Sequence, residues 1–426
     1  MLPSNNHKPQ ANSYLIPFLL ITSCFALWGF ANDITNPMVK SFSKIFRMSV
    51  TQGSLVQVAF YGGYFAMALP AALFIKRFTY KRGILMGLGL YAIGALLFLP
   101  AAKGGSYWPF LLAYFILTCG LSFLETSANP FILSMGEPET ATRRLNLAQS
   151  FNPIGSLCGM WVAMNFIQAR MNPMSTAERA TLDEASFEAI KSADLNVLVR
   201  PYATIGLVLV AIFVLVLLTK MPLIRREEEG VSRAFGPSVK RLFANKAYRE
   251  GIVAQFFYVG AQITCWTFII QYGTKVFMAE GMAEQAAEIL SQRLNIVAML
   301  LFCGSRFVCT WLMKWFRPSR MMALLASVAM ALLLVVIFVG GRAGVYSLVA
   351  VSACMSLMFP TIYGIALSEV NADAEIGSAG LIMAILGGSL LPPLQALIID
   401  TGHLGASFVV PMFCFLVVLT YSLRNT

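Results

Sequence analysis

Three formally charged side chains stand inside long apolar stretches of this 426-residue sequence: Asp33, Glu125 and Arg306. A charge at the centre of a bilayer costs about 2.5–3.5 kcal/mol on insertion scales, so such residues usually face a cavity or a partner and mark a transport path. Glu125 lies deepest, within Leu121-Ser-Phe-Leu-Glu-Thr-Ser-Ala-Asn-Pro130. An acid withdrawn from water can keep its proton near neutral pH and exchange it when its surroundings change, as proton-coupled carriage requires. The plainer alternative is a permanently protonated, hydrogen-bonded structural acid. Asp33 sits in Trp28-Gly-Phe-Ala-Asn-Asp-Ile-Thr-Asn-Pro37, near the outer end of its stretch, where it can also cap a helix or meet water. Asp33 and Asn36 share a helical face at i, i+3, with Asn32 beside them. Arg306 precedes Lys314 by eight residues. It is read as structural or gating, able to snorkel or to bind backbone carbonyls.

Uncharged polar groups extend the pattern. Gln149 and Asn152 lie at i, i+3, and Gln262 lies one turn before Trp266. Amides cost less to bury than charges and offer donors and acceptors at angles that suit sugar hydroxyls. The faces of Trp28 and Trp266 can stack on the apolar side of a pyranose. Each of these residues can equally act as glue between helices. Pro37, Pro130, Pro153 and Pro360, all near polar positions, predict kinked or broken helices. Gly83-x-x-x-Gly87 and Gly155-x-x-x-Gly159 predict close helix approach without specifying a function. The eight cysteines lie in apolar runs without a Cys-x-x-Cys or a zinc-like spacing, so no metal site is expected.

The elements that must position these residues follow from composition. Only 12% of the chain is Asp, Glu, Lys or Arg and 58% is hydrophobic. A soluble domain carries roughly twice that charge, so a soluble enzyme is excluded and an all-α membrane protein is expected. Twelve transmembrane helices are read at 15–36, 52–75, 84–102, 107–135, 145–169, 201–219, 251–274, 294–313, 321–341, 343–368, 376–399 and 401–423. The first of these is expected to be retained rather than cleaved as a signal peptide. The net charge of +11 comes from Lys and Arg in short loops, not from one solvated basic face, so a lipid bilayer is the expected partner and nucleic acid is not. Their excess on one side predicts a multi-pass inner-membrane protein with both termini cytoplasmic.

Lys76-x-Phe78-x-x-x-Arg82 recurs as Lys314-x-Phe316-x-x-x-Arg320 at an offset of 238, which also carries Trp28 onto Trp266. The repeat predicts two pseudo-symmetric six-helix halves, residues 1–219 and 251–426, joined by a basic cytoplasmic linker at 220–250. Lys76, Arg82, Lys314 and Arg320 join Arg306 as gating or structural candidates. Parallel six-helix repeats are the major facilitator architecture, with substrate bound near the midplane between halves. The only histidines, His7 and His403, lie outside the spans' interiors, and no Gly-x-x-x-x-Gly-Lys loop is present, which speaks against an intramembrane enzyme and an ATP-driven pump.

Phe25-Ala-Leu-Trp-Gly-Phe-Ala-Asn32, Ala59-Phe-Tyr-Gly-Gly-Tyr-Phe65, Leu124-Glu-Thr-Ser-Ala-Asn-Pro-Phe131, Leu145-Asn-Leu-Ala-Gln-Ser-Phe-Asn152 and Tyr258-Val-Gly-Ala-Gln-Ile-Thr-Cys-Trp266 resemble the bacterial fucose/proton symporters of the major facilitator superfamily. That family also includes glucose/galactose carriers. The resemblance implies sugar binding and proton exchange at Glu125, with amides at Gln149 and Asn152 and a glutamine and tryptophan at Gln262 and Trp266. In span one the family carries an amide followed by an acid three residues later, whereas here Asp33 precedes Asn36. The expectation is therefore a monomeric, cofactor-free carrier that imports L-fucose or a related 6-deoxyhexose with protons. Its coupling residues would be Glu125 and Asp33. Its substrate contacts would be Asn32, Asn36, Glu125, Asn129, Gln149, Asn152, Gln262 and Trp266. A glucose/galactose carrier, a drug/proton antiporter and a non-transporting sugar sensor are the alternatives.

Overall fold

The computed structural model describes residues 15–35, 38–48, 52, 55–174, 176–221, 235–368, 370, 373–400 and 403–425. These residues form helices and connecting turns, with no strand among them. The first part of the chain supplies α1 (Leu15–Thr35), α2 (Met38–Ile45), α3 (Leu55–Arg77), α4 (Tyr80–Gly104) and α5 (Trp108–Ser134). There follow α6 (Ala141–Gln149), α7 (Phe151–Val162), α8 (Thr176–Ala180) and α9 (Glu184–Leu218). The remainder supplies α10 (Phe235–Ala244), α11 (Lys246–Ala279), α12 (Glu284–Leu312), α13 (Pro318–Leu334), α14 (Gly341–Met355), α15 (Met358–Ser368), α16 (Ala374–Met383), α17 (Gly387–Asp400) and α18 (Val409–Arg424).

Among the described residues, eleven helical stretches are long and apolar enough to cross a bilayer. The twelfth expected span, 145–169, is also helical but interrupted: α6 ends at Gln149, α7 begins at Phe151, and a π turn covers Ala163–Ile167. Neither piece alone reaches the length of a crossing helix. The close join between the expected spans 321–341 and 343–368 is a real break. Gly340 and Gly341 adopt φ of 67° and 57° between the ninth and tenth spans, a conformation that costs glycine little because it has no Cβ. The tenth span breaks again between α14 and α15, just before Pro360.

The stretch 170–200 is acidic and largely helical. From Glu184 onward it is continuous with the sixth span in one 35-residue helix, longer than the hydrocarbon core requires at 1.5 Å per residue. It also holds a buried ion pair. Arg179 donates to Asp194 at 2.6 Å, and both side chains are essentially inaccessible. The guanidinium further donates to the carbonyls of Asn172 and Met174. A buried charge survives only when paired and hydrogen-bonded in this way.

Small residues let the helices approach closely. A Cβ on Gly155 of α7 would lie 1.7 Å from the Ala26 carbonyl oxygen of α1, and one on Gly387 of α17 would lie 2.0 Å from the Phe256 carbonyl of α11. Gly87 meets Gly120 and Leu124 of α5 in the same manner. Two buried apolar clusters result, one around Phe25, Tyr91, Tyr114 and Tyr202, the other around Tyr258, Met322, Met355 and Phe415. Tyr363 and Leu381, from α15 and α16, pack into the first cluster, so late helices are seated on early ones.

Candidate functional site

A central cavity of about 1060 Å³ is enclosed by both groups of helices, large enough for a small ligand. Asn32 and Asp33 of α1, Glu125 of α5, Gln149 at the end of α6 and Asn152 of α7 line it from one side of the chain. Gln262 and Trp266 of α11 and Arg306 of α12 line it from the other. The structure thus brings together most of the residues singled out from sequence. Asn36 lies outside the described residues. Asn129 is buried behind the wall, where its Oδ1 accepts from Gln149 Nε2 at 2.9 Å, so it orients Gln149 rather than lining the cavity.

Glu125 is fully buried, and neither carboxyl oxygen has a hydrogen-bond partner within the protein. That arrangement does not match a hydrogen-bonded structural acid, because an unmet buried polar group costs about 1–3 kcal/mol. It matches a group that meets a ligand or a proton. Trp266 is partly committed: its Nε1 donates to Ser352 Oγ at 3.2 Å, and its ring meets Phe302 edge-on at 5.0 Å, leaving surface rather than N–H for the cavity. Asn152 donates to the Phe25 carbonyl at 3.3 Å, holding α7 to α1.

Arg306 does not snorkel. It is 3% exposed, its Nε donates to the Ser356 carbonyl at 2.5 Å, and its Nη1 donates to the Gln149 carbonyl at 3.0 Å. Both acceptors stand four residues before a proline, Pro360 and Pro153. Proline has no N–H to close the helical bond onto that carbonyl, so each break frees an oxygen and Arg306 collects both. Pro130 frees the Thr126 carbonyl likewise, and Ser378 of α16 donates to it at 3.1 Å. The kinks expected from sequence therefore supply the acceptors that tie the late helices to the early ones beneath the cavity.

A second set of ties lies on the face bearing the α3–α4 turn. Lys76 Nζ donates to Ser238 Oγ of α10 at 2.7 Å. Arg241 of the same helix grips Asp373 through two bonds of 2.8 and 2.7 Å, and Tyr80 donates to Glu375 at 3.0 Å. Arg82 is exposed and lies 5.3 Å from the Phe78 ring. Lys314 and Arg320 are exposed on the corresponding α12–α13 turn. Residues missed by the sequence reading include Tyr61 and Tyr64 of α3, Asn295 of α12 and Ser389 of α17, all in the cavity wall. Their signal was a polar group within an apolar helix, too common to single out alone.

A Major Facilitator Superfamily model matches residues 20–392. The L-fucose-proton symporter of Haemophilus influenzae is 48% identical over 98% of each chain. A glucose/galactose transporter of Brucella abortus is 30% identical over 99% of this chain and 98% of its own. Among solved structures, a Major Facilitator Superfamily transporter, FucP, in the outward conformation superposes with a TM-score of 0.88 at 33% identity, covering 97% of this chain and 99% of that one. Taken with the helical architecture around one central cavity, these matches place the chain in the Major Facilitator Superfamily.

Proposed function

We propose that this protein is a secondary carrier that imports a monosaccharide, L-fucose first, together with protons. The observation that carries the reading is Glu125: fully buried, without a protein partner for either oxygen, and in the wall of a cavity that also presents Gln149 and Asn152. A protonated Glu125 can donate to a sugar hydroxyl, and its ionised form can only accept, so sugar and proton occupancy are linked at one carboxyl group. Asp33, in the same wall, is the second coupling candidate. The relative of higher identity favours fucose, and glucose or galactose is the alternative substrate.

Residues 1–219 and 251–426 act as two halves that rock about the cavity. The bonds of Arg306 to Gln149, Ser378 to Thr126 and Tyr80 to Glu375 close one end, on the face of the Lys76 and Lys314 turns. Positive residues orient membrane helices with their loops inward, so that face is cytoplasmic, both termini lie on it, and the arrangement described is outward-facing. The carrier works as a monomer in the bacterial inner membrane, with the proton as coupling ion and no other cofactor. Uptake of labelled fucose, galactose, glucose and arabinose into proteoliposomes, with and without an imposed proton gradient, tests the reading. Fucose accumulation that collapses with the gradient supports it; absence of sugar movement in both uptake and counterflow rejects it.

A further inference from the structure

The wall contributed by the later helices carries polar atoms that the fold leaves unmet. Asn295 Oδ1 of α12 and Ser389 Oγ of α17 are buried, have no hydrogen-bond partner in the protein, and belong to residues lining the cavity. Helix α17 adds main-chain acceptors. It contains Pro392 and Pro393 in succession, and neither can donate to the carbonyl four residues earlier. The carbonyls so released are those of Gly388 and Ser389. Gly388 also lines the cavity, and having no side chain it does so through its main chain. The neighbouring polar groups are already engaged: Trp266 Nε1 on Ser352, and Arg306 on two carbonyls.

We propose that Asn295, Ser389 and the carbonyls released by the paired prolines of α17 form a second arm of the sugar site, receiving hydroxyl donors of the sugar. This rests on the monosaccharide reading above and deepens it. The unmet atoms are three acceptor oxygens, Asn295 Oδ1 and the two carbonyls, and the Ser389 hydroxyl, which can accept as well as donate. Acceptor oxygens predominate in the arm, so it favours a neutral polyol, whose hydroxyls donate, over a sugar acid or sugar phosphate whose anionic group only accepts. It also ties sugar occupancy to α12 and α17, whereas Glu125, Gln149 and Asn152 tie it to the early helices, so one sugar spans both sides of the cavity.

Three variants test the arm by calorimetric titration of the purified full chain with L-fucose and its monodeoxy derivatives. Ser389→Ala and Asn295→Ala each remove one partner and are expected to weaken fucose binding about five- to hundredfold. For each variant, one monodeoxy sugar will bind it and the wild type alike, because the bond in question is already missing. Pro393→Ala alters no group of the arm's side chains but supplies an N–H that can close onto the Ser389 carbonyl. It is expected to raise thermal stability while lowering fucose affinity, a combination that damage to the fold does not produce. If the wild type binds fucose and all three variants keep its affinity and deoxy-sugar profile, the second arm is wrong and the carrier reading stands. If the wild type binds no monosaccharide, the carrier reading itself fails.

Discussion

Arg306 donates to the Gln149 carbonyl at 3.0 Å, and that oxygen is one that Pro153, four residues on, cannot bond. The second oxygen held by Arg306, on Ser356, stands in the same relation to Pro360. One guanidinium thus joins the breaks in the fifth and tenth spans, and the bond to Gln149 crosses between early and late helices. The rigid fork of arginine suits two acceptors at once, which a lysine ammonium cannot match in geometry. Because Gln149 also lines the cavity, a ligand that shifts it acts on the same junction.

Replacing Arg306 by Lys keeps the charge and loses the fork. A hydrogen bond to a charged group contributes about 1.5–3 kcal/mol, so the closed end is expected to loosen and the conformational balance to move about tenfold or more. Cysteine reporters placed on the Lys76 face will label faster in Arg306→Lys than in the parent. Pro153→Ala, which restores a competing N–H for the Gln149 oxygen, will shift labelling in the same direction. Unchanged labelling in both variants removes the junction.

The Arg241–Asp373 clasp is ionic and lies just outside the span that follows it. Burial opposes ionisation of Asp373, but hydrogen bonds from Arg241 and Ser238 and the charges of Arg241 and Lys76 outweigh it and hold the carboxyl below the usual range. A depressed acid contributes stability that is complete above its ordinary value and lost as pH falls through the depressed one. The clasp is therefore intact across about pH 5–8, and pH dependence of transport there has another origin. Asp373→Asn will loosen α10, which carries the Lys76–Ser238 tie to the early helices, and so weaken the closed face at all these pH values alike. The exchange Arg241→Asp with Asp373→Arg is expected to recover part of the loss, measured as inner-face accessibility; recovery of none contradicts a direct pairing.

Close helix approach gives a prediction about folding rather than transport. A side chain at Gly155 must displace the backbone of α1 at Ala26, so Gly155→Leu is expected to cost at least about 1–3 kcal/mol by overpacking and to reduce the yield of folded protein. At Gly304 in α12 an added methyl group would meet nothing within 4 Å. There, Gly304→Ala is expected to gain about 0.5–1 kcal/mol from helix propensity alone. Thermal unfolding in detergent separates the two; equal effects would contradict the packing account.

Much of this was legible in the sequence, because a bilayer imposes length and polarity rules that a single chain displays. The spans, Glu125 and the Gln149 and Asn152 amides could all be read from polar residues in apolar runs. For Arg306 the position two turns from Lys314 left snorkelling and carbonyl binding both open, and only the tertiary arrangement shows two freed carbonyls within reach. The prolines were visible as kinks, but which donors take the released oxygens depends on helices distant in sequence. Arg179 and Asp194 form a buried pair that nothing local in the sequence marks, because fifteen residues separate them. Asn129 follows Glu125 by four residues, and depth alone does not distinguish the wall from the layer behind it.

Asp33 provides a separate check on coupling. It lines the cavity from α1, so Asp33→Asn, which keeps size and removes titration, is expected to lose concentrative uptake as severely as a neutral residue at 125. Asp33→Glu will retain part of it. Accumulation near wild type in Asp33→Asn vesicles at several pH values would take Asp33 out of the coupling and leave Glu125 alone in it.

The most direct measurement compares two activities of Glu125→Gln in proteoliposomes. The amide keeps size and hydrogen bonding but cannot ionise. Sugar counterflow, which needs no net proton movement, is predicted to persist, while gradient-driven accumulation and sugar-induced proton uptake are abolished. A Glu125→Gln protein that accumulates fucose against its gradient as the wild type does would contradict coupling through Glu125.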